Sequence, residues 1–304
     1  MTQPPSSQPK EPLQGTVMPT FETPQPIAVT VEVYLGRVDV IASDRTDTVV
    51  EVRPSDAAKK EDVRAARETE VDFAAGHLTV KGPGGWKMYT LPRAWHTPSL
   101  DVTIEVPTGS RLHGTGSLCR FLVTGELGQC ELKNSLGDLQ LEKAGPLELR
   151  TGGGNITVDE VVSLANVTSG NGTVRIREIN GSAVVKNSNG DTTIREVAGD
   201  LQVNTANGNI TVERPRGSVV ARAASGSIRI FDASSGTMRL ETAAGHLDVG
   251  IHPGVAAYLD LNTKYGTLQN LLDTAGQPAQ GEETVQVYAR NSYGNITIRH
   301  ATAT

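Results

Sequence analysis

Ser188-Asn-Gly-Asp191 and Ala206-Asn-Gly-Asn209 lie eighteen residues apart, and oxygen-bearing side chains beside glycine at a fixed interval are raw material for a calcium site. The nine-residue calcium motif of β-rolls needs two consecutive glycines, a third glycine, and an aspartate two residues after it. Here Asp191 follows its glycine directly, and most equivalent turns carry Asn, Thr or Ser, so the pattern is expected to make turns and no metal site is assigned. Carboxylates converging in a groove would suit carbohydrate cleavage. Asp159, Glu178 and Glu196 instead fall beside Arg177 and Arg195 at one corner of the repeat, which predicts surface ion pairs. The histidines, His77, His96, His113, His246, His252 and His300, share no spacing. Cys119 and Cys130 have neither metal-ligand spacing nor a disulfide framework and are expected to be reduced packing residues. No catalytic residue and no cofactor follow.

Two other groups could carry binding. Trp86, Met88, Tyr89, Leu91 and Trp95 crowd one Gly/Pro-rich stretch of a chain that is only 4% aromatic, and a partner-binding loop is one reading, packing onto the body the other. Val184 and Val220 should point outward with Gln202 between them. Their face is expected to be less charged than the opposite one, which carries Arg175 and Arg229, and to serve as a dimer or partner surface unless residues 20–106 cover it.

All of these residues hang on one repeat. Gly154, Gly172, Gly190, Gly208 and Gly226 are eighteen apart, and Gly181, Gly199 and Gly217 stand halfway between. Turn residues followed by apolar, polar, apolar, as in Gly208-Asn-Ile-Thr-Val, describe a strand of about five residues and a turn of about four. Two such strands close one flat coil. Stacking the coils predicts an all-β, two-sided parallel β-solenoid of the β-roll or β-helix kind, with about 18 residues per coil, roughly eight or nine coils and a length near 40 Å. Ile156 and Val158 should face Ala165 and Val167, large against small. Val161, Ile179 and Val197 should plug one corner, and Asn171, Asn189 and Asn207 should stack at the other.

The organisation expected is a disordered extension over 1–17, a β-rich capping region over 18–106 with one short helix within 55–67, and the solenoid over 107–300. The strands after Thr284 should guard the far end. A net charge of −6 argues against nucleic acid as an obligatory partner, and no run approaches the roughly 20 apolar residues of a membrane helix. The first twenty residues contain five prolines and no secretory apolar run, so a cytoplasmic location is expected, with an unknown protein partner or self-association.

Met18-Pro-Thr-Phe-Glu-Thr-Pro24, Thr48-Val-Val-Glu-Val-Arg-Pro-Ser55, the glycine repeats and the closing Ser292-Tyr-Gly-Asn-Ile-Thr-Ile298 stand in order. With them, the chain resembles a bacterial family of β-strand-repeat proteins of unknown function, described as "putative adhesins", over roughly residues 18–299. It looks most like the actinobacterial branch without a signal. The resemblance implies a β-solenoid and carries over no catalytic residue. The functional expectation is a non-catalytic scaffold or binding protein, with a surface adhesin or carbohydrate-binding protein as alternative and a polysaccharide-active enzyme as the weaker one.

Overall fold

The computed structural model describes residues 18–83, 97–272 and 284–301. The chain starts with β1 (Thr20–Glu22), β2 (Ala28–Ser43), β3 (Asp47–Pro54), α1 (Lys60–Glu68), β4 (Glu70–Ala74), β5 (His77–Lys81), β6 (Leu100–Pro107) and β7 (Arg111–Leu127). The coils that follow are strand pairs: β8 (Cys130–Leu136) with β9 (Leu139–Ala144), β10 (Leu147–Gly153) with β11 (Ile156–Val161), and β12 (Ala165–Asn171) with β13 (Val174–Ile179). Next come β14 (Ala183–Asn189) with β15 (Thr192–Val197), β16 (Leu201–Asn207) with β17 (Ile210–Pro215), and β18 (Val219–Ser225) with β19 (Ile228–Ala233). Last are β20 (Gly236–Ala244) with β21 (Leu247–Ile251), β22 (Ala256–Tyr265) with β23 (Leu268–Asn270), and β24 (Thr284–Tyr293) with β25 (Ile296–His300).

Equivalent strands pair parallel and in register, Ala165 on Ala183 and Ala183 on Leu201, so each coil repeats the side-chain directions of the one before. Two facing sheets result. The first runs β4-β5-β2-β7-β8-β10-β12-β14-β16-β18-β20-β24-β22. The second runs β1-β3-β6-β2-β7-β9-β11-β13-β15-β17-β19-β21-β25-β23. Because β2 and β7 run through a corner unbroken, they belong to both sheets and join them into one 25-stranded sheet.

Counting β2, β7 and nine strand pairs gives eleven coils among the described residues, more than the repeat alone predicts. One of the extra coils is β2, which lies within 18–106 yet pairs parallel with β7 from Ala28 to Ile41. Inward positions are filled as the alternation demands: Ile156, Val158, Val167, Ile176, Val185, Ile194, Val203, Ile210 and Val212 are buried. In the early coils Phe121 occupies space left by Gly114 and Gly116, where an added Cβ would stand 3.0 and 2.9 Å from its ring.

The two ends differ. At the start, antiparallel β3 and β4 turn the sheets away from parallel pairing. There α1 packs on β3 and β6 with Ala65 and Ala66 buried, and the rings of Phe21 and Phe73, from the two sheets, lie 5.1 Å apart. The helix covers 60–68, starting later than the sequence suggests. At the other end β24 and β25 do not close the stack. They lie between β20/β21 and β22/β23, so the terminal coil is 256–270. Its inward Leu259 and Leu261 are only half-buried, whereas Val287 and Ala289 beneath them are 0% exposed. Among the described residues no helix is long and apolar enough to cross a membrane.

Candidate binding surface

The residue after most corner glycines has a defined job. Its side chain accepts the backbone N–H of the same position one coil further on. Asn155 N–H donates to Asp138 Oδ1 at 2.8 Å and Thr173 N–H to Asn155 Oδ1 at 3.1 Å. Further along, Asn209 N–H donates to Asp191 Oδ1 at 2.8 Å and Ser227 N–H to Asn209 Oδ1 at 3.0 Å. His246 N–H then donates to Ser227 Oγ, Asn295 N–H to His246 Nδ1, and Thr267 N–H to Asn295 Oδ1, each at 3.1 Å. One short-reach acceptor is all the position needs, so Asp, Asn, Ser and His interchange there. Asp191 Oδ1, the atom a calcium reading would require, also accepts from Asn209 Nδ2 at 3.2 Å. Among the described residues no three His, Cys, Asp or Glu side chains gather into a metal-holding group.

A second ladder runs through the corner asparagines: Asn207 Nδ2 donates to Asn189 Oδ1, and Asn189 Nδ2 to Asn171 Oδ1, both at 2.9 Å. The sequence reading missed a third set, facing inward. Asn187 Nδ2 donates to the carbonyls of Gly172 and Gly190 at 3.1 and 2.9 Å, and Asn291 Nδ2 to Gly245 O at 3.0 Å. The alternation Ala183, Val185, Asn187 marks the third of these as inward, and burying an amide there satisfies corner carbonyls that the strands cannot reach.

The corner acids meet cations. Arg177 Nε lies 4.0 Å from Asp159 and Arg177 Nη1 3.6 Å from Glu178, while Arg195 Nε lies 3.6 Å from Glu213. Glu196 pairs with Arg214 of the following coil, and the hydrogen bond from that guanidinium holds its carboxyl below the usual range. Cys119 and Cys130 are free and buried; burial pushes the Cys119 thiol up to about 11 and the Cys130 thiol higher still.

Of the candidate binding residues, Trp86, Met88, Tyr89 and Trp95 lie outside the described residues. Val184 and Val220 share one outward column, with Gln202 between them and Arg239 and Tyr288 beyond. Both are part-exposed, so the described residues of 20–106, which stand at the end of the rod, leave them uncovered. The face carries fewer charges than the opposite one, which bears Arg175, Arg177, Arg195, Glu213 and Arg229 over the same coils, but it is not free of them. Lys186 and Arg222 stand two residues on from the valines and point the same way, as the pleat requires.

What the structure adds is a partner for Val184. It lines an open groove of about 310 Å³ with Gln129, Pro146, Glu148, Leu164 and Asn166. Leu164 is 63% exposed and nearby Val162 43%. In later coils Leu164 is replaced by Ser182, Asp200 and Ser218, so an apolar residue at a turn position was the available signal. Val220 does not reach this groove. A second concavity, of about 640 Å³, sits on the same face near the last coil and is lined by Arg222, Glu241, Asn262, Lys264, Arg290 and Ser292.

Compared with known families, residues 29–299 match the model of Toastrack DUF4097. The chain belongs to the Toastrack DUF4097 family. No curated protein matches it. Among solved structures it is similar to a "putative cell adhesion protein" from Clostridium sporogenes, at 9% identity over 94% of this chain and 99% of that one, with a TM-score of 0.25. A "putative adhesin" from Parabacteroides merdae is 11% identical over 93% of this chain and 95% of that one, with a TM-score of 0.34. A "putative lipid binding protein" from Parabacteroides distasonis is 12% identical over 93% and 96%, with a TM-score of 0.35. Superpositions this loose carry no fold assignment; the Toastrack solenoid rests on the family match and the strand pairings.

Proposed function

We propose that this Toastrack protein is a non-catalytic, adhesin-like β-solenoid that holds a protein partner along its side. The groove beside Leu164 and Val184 supports the reading most directly. It brings exposed Leu164 together with Pro146 and part-exposed Val184 between polar Gln129, Glu148 and Asn166, and an apolar strip with a polar rim is suited to an apolar segment of a partner. The corner acids favour binding over hydrolysis, because Asp159, Glu178 and Glu196 are engaged by Arg177 and Arg214. The names of the similar structures, adhesins among them, agree with a binding role.

Leu164→Asp and Val184→Asp each put a carboxylate into the groove without touching the core. Partner capture from native lysate, quantified against wild type, should fall about tenfold or more for both, the loss of one apolar contact of about 1–2 kcal/mol. Equal capture by wild type and both variants would remove the groove from the binding surface. A cytoplasmic site of action is proposed with it, in keeping with two unpaired buried cysteines. Cell fractionation tests this, and intact protein in the wall or medium fraction would contradict it.

A further inference from the structure

We infer that the last coil is an interface, and that a second copy of this chain pairs with it end to end. The inference stands apart from whatever the side groove binds. Strand β22 carries β24 on one edge, and no described strand pairs with the other. An unpaired edge of ten residues is a template for another strand. The core beneath it is open as well: Leu259 and Leu261 continue the inward columns of Val287 and Ala289 but are only half-buried. Around them Tyr258, Tyr265, Leu268 and Leu271 are 50–64% exposed.

The outward side chains of β22 select the partner. Tyr258, Asp260, Asn262 and Lys264 alternate with the inward set, and Asp260 and Lys264 stand equally far on either side of Asn262. A two-fold axis through Asn262, perpendicular to the sheets, lays β22 antiparallel on its copy. Each Asp260 then stands opposite a Lys264, Leu261 opposite Thr263 and Leu259 opposite Tyr265. Inward residues stay inward across the junction, so the two cores join.

The charges are prepared for that meeting. Among the described residues Lys264 has no ion-pair partner, while Asp260 is reached from below by Arg290 at 3.5 Å. In the dimer Asp260 lies between Arg290 of its own chain and Lys264 of the other. The end face is about 33 Å long and about 15 Å across, so two copies bury about 1,000 Å² in total, the size of a weak, reversible interface. Association stops at two, since the opposite end offers only the short edges of β1, three residues, and β4, five residues, and α1 packs beside them on β3 and β6.

The test is sedimentation velocity of the full chain across about two decades of concentration around the micromolar range. Wild type should sediment as a dimer that dissociates on dilution. Lys264→Asp, which sets like charges opposite at both ends of the pairing, should weaken it at least tenfold with unchanged circular dichroism, and adding Asp260→Asn should restore part of the loss. Asn262→Cys, on the axis, should cross-link to its own copy under mild oxidation while buried Cys119 and Cys130 do not. A monomer at every concentration overturns the proposal, as does a dimer indifferent to Lys264→Asp. An open series of larger species refutes the closed two-fold.

Discussion

Replacing Gly208 by alanine isolates what the repeat demands of its glycines. The residue has φ +137°, and an added Cβ would stand 2.2 Å from the carbonyl oxygen of Gly190 in the coil below. Two penalties combine. Holding an L-residue in that backbone region costs about 1–3 kcal/mol. Forcing a methyl into backbone that cannot move aside, because it is itself a rung of the stack, costs about 1–3 kcal/mol more. The expected loss is therefore about 2–6 kcal/mol, a large share of a domain's usual stability.

Gly76 provides the control. It also has a positive φ, +76°, but nothing lies within 4 Å of its would-be Cβ, so Gly76→Ala should lose only about 1–2 kcal/mol. Alanine restricts the unfolded chain to the same extent at both sites, so the difference between variants measures the inter-coil contact plus the extra backbone strain of φ +137° over +76°. Urea unfolding followed by circular dichroism supplies the two values. Amide exchange should show the lost protection centred on β14 to β19, since a solenoid can open locally. Equal destabilisation by the two substitutions would refute the claim that close stacking, rather than turn conformation alone, requires glycine at this corner.

The turn ladder predicts that Asp191→Ala costs about 1 kcal/mol through the orphaned Asn209 N–H, while Asp191→Asn, which keeps an acceptor, stays near wild type in the same denaturation assay. Glu196, held below the usual carboxyl range by Arg214, should add stability that is present above the unfolded value of about 4.3 and is lost as pH falls through the lower folded value. Glu196→Gln should flatten that part of the acid limb by less than about 1 kcal/mol, because about a third of each side chain is in solvent; an unchanged limb contradicts the pairing. Cys119 and Cys130 should resist a thiol reagent at about pH 8 until the protein unfolds, and rapid labelling of either in the native state would show an opening of the early coils.

Much of the architecture is legible in the chain because a coil is a local object. The spacing from Gly154 to Gly226 marks the corners, and Ile156, Val158, Val174 and Ile176 mark the inward faces. The stacking of Asn171, Asn189 and Asn207 follows from the same eighteen-residue step. The surface is harder to read. Val184 and Val220 look alike in sequence, yet only Val184 meets Leu164, because that contact depends on which turn lies beside it in the stack. The charged neighbours Lys186 and Arg222 were legible from the pleat but become a surface only when their strands are laid side by side.

Alternation and period alone determine that this chain builds flat coils with an apolar interior and acceptor side chains at the turns. They do not determine the order of the coils. Val285, Val287 and Ala289 satisfy the inward pattern as well as Ala257, Leu259 and Leu261 do, so either strand could be last. Only the tertiary structure decides that β24 and β25 step back into the stack and leave β22 and β23 outermost. The physical reason is that parallel pairing is non-local: every in-register coil offers the same edge, and the choice among them rests on the packing of neighbours distant in sequence. That choice leaves Leu259, Leu261 and the unpaired edge of β22 at the end of the rod, and Lys264 with no ion-pair partner among the described residues.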